Sequence, residues 1–160
     1  MRAQNDGGNL MKKIMFVCHG NICRSTMAEF LMKDLVKKMG KEEEFFIRSS
    51  ATSSEELGNP VHYGTRKVLD RLGISCKGKY AEKLLPSDYN KYDYFICMDK
   101  NNLRNIARIF SDPENKISLL MEYAGISRDV ADPYWTGDFE ATYRDVDLGV
   151  KELYKYLMKE

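Results

Sequence analysis

Lys12-Lys13-Ile14-Met15-Phe16-Val17-Cys18-His19-Gly20-Asn21-Ile22-Cys23-Arg24-Ser25 carries the chain from an apolar run into a short polar loop. Lys13 to Val17 is apolar and partly β-branched, the pattern of a buried strand. Beyond the loop, Met27, Phe30, Leu31, Leu35 and Met39 recur at spacings of three and four, which predicts an amphipathic helix over residues 26–39, stopped by Gly40. Cys18 to Ser25 therefore occupies a strand-to-helix turn. Backbone N–H groups and the unpaired donors of a helix start converge at such a turn and make an anion site. Gly20 is the residue expected to supply the positive φ of that nest. A thiol at its base, beside the Arg24 guanidinium, is in surroundings that favour thiolate, and the Ser25 hydroxyl can donate to it. The competing reading is a buried strand-end cysteine beside a solvated arginine. Against that reading, a cation in the first helical turn opposes the helix dipole unless an anion is bound.

Outward from this loop, strand and helix patterns alternate. Phe45-Phe46-Ile47 begins a second strand that runs into the polar Arg48-Ser49-Ser50-Ala51-Thr52. Asn59-Pro60 reads as an N-cap with proline at the first helical position, followed by the stripe Val61, Val68, Leu69 and Leu72. Residues 74–85 mix glycine and lysine with isolated apolar positions and predict no element, and Pro86-Ser87-Asp88 marks a turn or short helix start. Tyr92 to Met98 is a third strand, Leu103, Ile106, Ala107 and Phe110 mark a helix, and Ile117 to Met121 is a shorter fourth strand. A loop carrying Asp132-Pro133-Tyr134-Trp135 precedes a last helix with Phe139, Tyr143, Val146, Val150, Leu153 and Leu157 on one stripe. The expected fold is a single-domain α/β protein. It has a doubly wound, four-stranded parallel sheet in the flavodoxin-like order 2-1-3-4, with helices on both faces and the loop at a carboxyl end of the sheet.

The chain of 160 residues suits one domain, with residues 1–10 expected as a disordered leader or extension, Met11 as a plausible start, and 11–160 as the domain. Lys and Arg number 25 against 24 Asp and Glu, so no global basic field advertises nucleic acid or an anionic membrane. No apolar run approaches the roughly 18 residues of a bilayer span, and the N-terminus lacks a signal-peptide pattern. Cysteines at 18, 23, 76 and 97 fit neither a disulfide scaffold nor paired zinc ligands, and His19 and His62 are the only histidines. A cytoplasmic protein without metal or cofactor is expected.

At Cys18, Asn21, Ile22, Cys23, Arg24 and Ser25 the chain resembles the low-molecular-weight protein tyrosine phosphatases, and the resemblance runs nearly from Met11 to Glu160. Further matching stretches are Ser49 to Ser53, Gly58-Asn59-Pro60, Cys97-Met98-Asp99 and Asp132-Pro133-Tyr134. The resemblance implies that Cys18 attacks phosphorus to form a phosphocysteine, and that Arg24 with the amides of His19, Gly20, Asn21, Ile22 and Cys23 holds the phosphate. It implies Asp132 as general acid and then base, and a Cys18–Cys23 pair able to close a reversible disulfide. Chemistry asks for such an acid independently, because expelling a phenolate or alkoxide at neutral pH needs a proton donor. Read from the residues alone, Asp132 is equally a turn aspartate before proline. Tyr134 and Trp135 would wall a groove for an aromatic ring, or else anchor their loop. Asn21 and Ser49 are expected to pin the loop through side-chain hydrogen bonds. Asp99 either belongs near the loop or caps the helix after it.

Two positions depart from the family pattern. Thr26 replaces a common proline, and Glu55 stands where many members place an aromatic, so one wall of the groove is polar. The implied substrates are phosphotyrosine-containing proteins or small aryl phosphates, with inhibition by phosphate-like oxyanions and a monomer or weak dimer as the working state. Two other functions share these residues. An arsenate reductase of the same fold would need further cysteines as a disulfide relay, which Cys76 and Cys97 are too widely spaced to supply. A non-catalytic phosphate-binding module would need neither Cys18 nor Asp132.

Overall fold

The computed structural model describes residues 11–159, so the leader expected over 1–10 lies outside the described residues. Four strands, β1 (Lys12–Cys18), β2 (Phe45–Ala51), β3 (Tyr94–Cys97) and β4 (Ile117–Leu119), form one parallel sheet in the order β2-β1-β3-β4. Parallel strands need crossovers, and these are supplied by α1 (Arg24–Lys38), α2 (Tyr63–Arg71) and α3 (Lys100–Ile106). The short α4 (Pro133–Thr136) and the long α5 (Phe139–Met158) follow the last strand. No helix among the described residues is long and apolar enough to cross a membrane.

Side-chain alternation along β1 sorts the core into two layers. Ile14, Phe16 and Cys18 pack with Met27, Leu31, Val146 and Leu153 of α1 and α5, whereas Met15 and Val17 face Phe95, Cys97 and Ile106 on the α3 side. Both faces of the central strand are thereby covered, which is why Ile14 to Cys18 are apolar without interruption and buried.

Where α5 crosses the segment after β4, Gly149 leaves room for Leu120: a Cβ there would lie 2.5 Å from Leu120 Cγ. Gly149→Ala is expected to lower stability by about 1–3 kcal/mol through overpacking, although alanine favours an isolated helix by about 1 kcal/mol. Denaturant unfolding checks the sign, and a stabilised variant would show that Leu120 has slack to move.

Several boundaries differ from the sequence reading, among them the third helix, which stops at Ile106 and does not reach Phe110. Helix α2 starts after His62, whose Nδ1 accepts the Gly64 N–H, and not at Asn59-Pro60. Pro60 is instead drawn into an antiparallel bridge with Tyr80, and the His62 N–H goes to the Ile22 carbonyl. The third strand is limited to Tyr94–Cys97, and β4 ends at Leu119 because the Glu122 carboxylate takes the Leu119 N–H and starts a 3-10 turn. The Asp132 loop winds into α4, with Asp132 as its N-cap.

Candidate active site

Strand β1 delivers Cys18 to the carboxyl end of the sheet, and residues 19–23 turn over it before α1 begins. Cys18 Sγ lies 2.9 Å from Ser25 Oγ and faces the Asn21 N–H at 3.4 Å. The left-handed residue of the turn is Asn21, with φ of 61°, and not Gly20. Asparagine tolerates that conformation when its short amide is bonded. Here Nδ2 donates to Ser25 Oγ and Ser49 Oγ, each at 2.9 Å, and Oδ1 accepts the Glu82 N–H at 3.0 Å. Gly20 lies close under Glu56, and a Cβ there, 3.2 Å from Glu56 Cγ, would make that side chain give by a few tenths of an ångström.

Arg24 opens α1, yet only 2% of it is exposed. Its Nη1 donates to Asp99 Oδ2 and to the Val130 carbonyl, both at 2.8 Å, and Nη2 stands 3.5 Å from Asp132 Oδ2. Burial works against the guanidinium charge, but Cys18, Asp99 and Asp132 together outweigh it and raise the Arg24 pKa. Asp99 serves both of its expected uses. One oxygen holds Arg24 and the other caps α3 by accepting the Asn102 N–H at 2.7 Å.

Asp132 reaches the same point from the far end of the chain. Its Oδ1 accepts the Tyr134 N–H at 3.0 Å as the cap of α4, which turns Oδ2 toward Arg24. Tyr134 and Trp135 follow on α4, exposed, with ring centroids 5.3 Å apart in an edge-on pair. His62 supports this wall. It meets Tyr134 edge-on at 6.3 Å and stacks on Phe139 at 5.0 Å. On the Cys18 side, His19 Nε2 and Glu55 Oε2 are 2.9 Å apart.

These groups enclose a cleft of about 440 Å³ lined by residues 18–24, Glu55, Glu56, Asp99, Asn101, Asn102, Asp132, Tyr134 and Trp135. Ser25 and Ser49, also expected at the site, do not line it and act from behind the loop. Asn102 and His62 were not singled out by sequence. Asn102 is 1% exposed, and its Nδ2 has no hydrogen-bond partner. An aspartate followed three residues later by asparagine at a helix start was the signal available for it.

Of the four thiols, Cys23 is pushed up to about 12, chiefly by burial and then by Cys18 and Asp132. Burial also raises Cys76 and Cys97, and neither lines the cleft. Cys18 is left as the cleft's candidate nucleophile.

The fold and cleft define an α/β protein with a cysteine- and arginine-bearing loop at the carboxyl end of β1, in a cleft it shares with a carboxylate and an aromatic pair. Residues 13–160 match the family described as low molecular weight phosphotyrosine protein phosphatase. The chain is 37% identical over 154 residues to the low molecular weight protein-tyrosine-phosphatase YfkJ of Bacillus subtilis, covering 94% of this chain and 98% of that protein. It is 35% identical over 151 residues to PtpA of Staphylococcus epidermidis, covering 94% and 96%. The crystal structure of YfkJ superposes with a TM-score of 0.90 at 36% identity, over 93% of this chain and 96% of that one. A Streptococcus pyogenes low molecular weight protein tyrosine phosphatase superposes with a TM-score of 0.82 at 40% identity, over 92% and 93%. The chain belongs to the low molecular weight phosphotyrosine protein phosphatase family, which are cysteine-based hydrolases.

Proposed function

We propose that Cys18 is the nucleophile of a two-step phosphotyrosine hydrolysis, on the observation that it lines one cleft with Arg24 and Asp132, whose guanidinium and carboxylate stand 3.5 Å apart. The loop N–H groups of residues 19–23 and the Arg24 guanidinium hold the equatorial phosphate oxygens, where charge gathers during transfer. Cys18 Sγ attacks in line, the S–P bond forms, and the P–O bond to the tyrosyl oxygen breaks. Asp132 gives its proton to that oxygen. Water then attacks the phosphocysteine, its proton passes to Asp132, and the S–P bond breaks to return the thiolate and inorganic phosphate.

Several groups favour this assignment. Asp99 and the Val130 carbonyl hold Arg24 in place before substrate arrives, which is the preorganisation that electrostatic stabilisation needs. Tyr134 and Trp135 line the same cleft as Cys18 and offer aromatic faces to a substrate ring, and the Glu55–His19 pair adds a polar character to its lining. Phosphate-like oxyanions should compete for the same cradle. A cytoplasmic monomer or weak dimer acting on phosphotyrosine proteins or small aryl phosphates is part of this reading.

The test compares phosphotyrosine and phosphoserine peptides in the presence of a chelator. Hydrolysis is expected to persist and to favour phosphotyrosine strongly. Arsenate-dependent oxidation of thioredoxin in its place would move the site to arsenate reduction. Phosphate binding with no turnover would reduce it to a binding module.

A further inference from the structure

Away from the cleft, the opposite side of the loop rests on buried charge that the reaction scheme leaves unused. Glu29 of α1 is 2% exposed and Lys79, in the irregular segment after α2, is 9% exposed, a depth at which either residue needs a partner. Lys79 Nζ stands 3.5 Å from Glu29 Oε1 and donates to the Ser49 carbonyl at 2.8 Å and to Glu82 Oε2 at 3.1 Å. Lys33 Nζ approaches the other Glu29 oxygen at 2.5 Å. Lys79 thus clasps Ser49 and Glu82, the two residues outside the loop that hold the Asn21 amide.

Donor counting gives this cluster a direction. The Glu82 backbone N–H can only donate, so the Asn21 atom facing it is Oδ1 and both Nδ2 hydrogens go to the hydroxyls of Ser49 and Ser25. Each serine, having accepted from Asn21, still has its own hydrogen to place. Ser49 gives it to Glu29 Oε1, and Ser25 has Cys18 Sγ at 2.9 Å, to which it donates when the sulfur is the attacking thiolate. The Glu29 carboxylate at one end and the Glu82 backbone amide in the middle therefore orient the Ser49 and Asn21 hydrogens on the path that reaches the Ser25 hydroxyl beside the sulfur. Removing Lys79 leaves Glu29 with Lys33 as its remaining cation and takes the ammonium from the Ser49 carbonyl, and neutralising Glu29 takes the charge from the acceptor of the Ser49 hydrogen.

We propose that Glu29 and Lys79 are positioning residues for the phosphate loop: they fix Ser49, Ser49 fixes the left-handed Asn21, and Asn21 aims the Ser25 hydroxyl and its own N–H at the Cys18 sulfur. The proposal rests on the reading of this loop as the phosphate site. Oxyanion affinity and the reactivity of Cys18 then depend on two side chains that never touch substrate.

Full-length Glu29→Gln, Lys79→Met and Lys79→Arg test it through two readouts. One is inorganic phosphate affinity, followed by the fluorescence of Trp135, the single tryptophan, at the cleft. The other is the rate at which iodoacetamide alkylates Cys18 at mildly acidic pH, where Cys23, Cys76 and Cys97 stay protonated. Glu29→Gln and Lys79→Met are each expected to weaken phosphate binding and slow alkylation by about tenfold or more, and to cut kcat/KM on an aryl phosphate by about 10–100-fold. Lys79→Arg should recover most of both. Wild-type phosphate affinity and alkylation rate in folded Glu29→Gln would overturn the proposal, as would a lowered unfolding midpoint with both readouts unmoved. Should Lys79→Met fail to fold, Glu29→Gln and Lys79→Arg decide alone. A wild-type chain that neither binds phosphate nor alkylates selectively at Cys18 would overturn the phosphate reading itself, and the proposal with it.

Discussion

Cys18→Ser is expected to lower turnover of an aryl phosphate by roughly ten-thousandfold, about 5.5 kcal/mol of lost transition-state stabilisation, while phosphate still binds. The two halves of the expectation have separate causes. The hydroxyl that replaces the thiol remains protonated at neutral pH and is a poor nucleophile, so the covalent step is lost. The proposed oxyanion cradle is made of backbone N–H groups and Arg24; the substitution leaves Arg24 on Asp99 and Val130, and a hydroxyl oxygen can still accept the Asn21 N–H that faces the sulfur. A neutral oxygen at the base also removes a negative charge from beneath the phosphate. Affinity should therefore equal or exceed that of the wild type. Single-turnover hydrolysis and a phosphate titration followed at Trp135 measure the two quantities independently. Turnover within tenfold of wild type would remove Cys18 from the mechanism.

Asp132→Asn should act selectively, and the selectivity carries the information. Asparagine can keep the α4 cap, because its Oδ1 accepts the Tyr134 N–H as the carboxylate does, so the fold and the aromatic wall should be retained. It has no proton to give the departing oxygen. On phosphotyrosine, whose phenolate is a poor leaving group, the expected loss is about 10²–10³-fold. On a nitrophenyl phosphate, whose phenolate leaves unaided, it should shrink to a few-fold. The measurement is a series of aryl phosphates graded by leaving-group basicity in both enzymes. Equal losses across the series would take the proton from Asp132 and assign it elsewhere in the cleft.

Much of the architecture was legible because local rules and tertiary structure agree. In β1 the apolar run from Ile14 to Cys18 is what a strand buried on both faces demands, and the four-residue spacing of Met27, Leu31 and Leu35 is what α1 presents to the core beside α5. The C-x5-R spacing was legible because one turn must bring thiol, amides and guanidinium to a single point. The failures fall where a partner distant in sequence wins. Asn59-Pro60 has every local feature of a helix start, but Tyr80 draws Pro60 into a bridge and leaves capping to His62. Gly20 has the freedom that a nest needs, yet Asn21 adopts the left-handed turn because Ser49 and Glu82, remote in the chain, satisfy its amide.

Alone, then, the sequence determined the layered parallel sheet, the position of the thiol at the end of its first strand, and the family of the chain. These depend on hydrophobic period and on short-range spacing, which one segment carries by itself. Only the tertiary structure decided what stands around the sulfur. It brought Asp132 to within 3.5 Å of Arg24, gave Asp99 both a cap and a guanidinium, and buried Lys79 against Glu29 and Ser49. Lysine in a glycine-flanked polar stretch reads as a solvated charge. It becomes a buried one only when three segments of chain close around it and supply the partners that its burial requires.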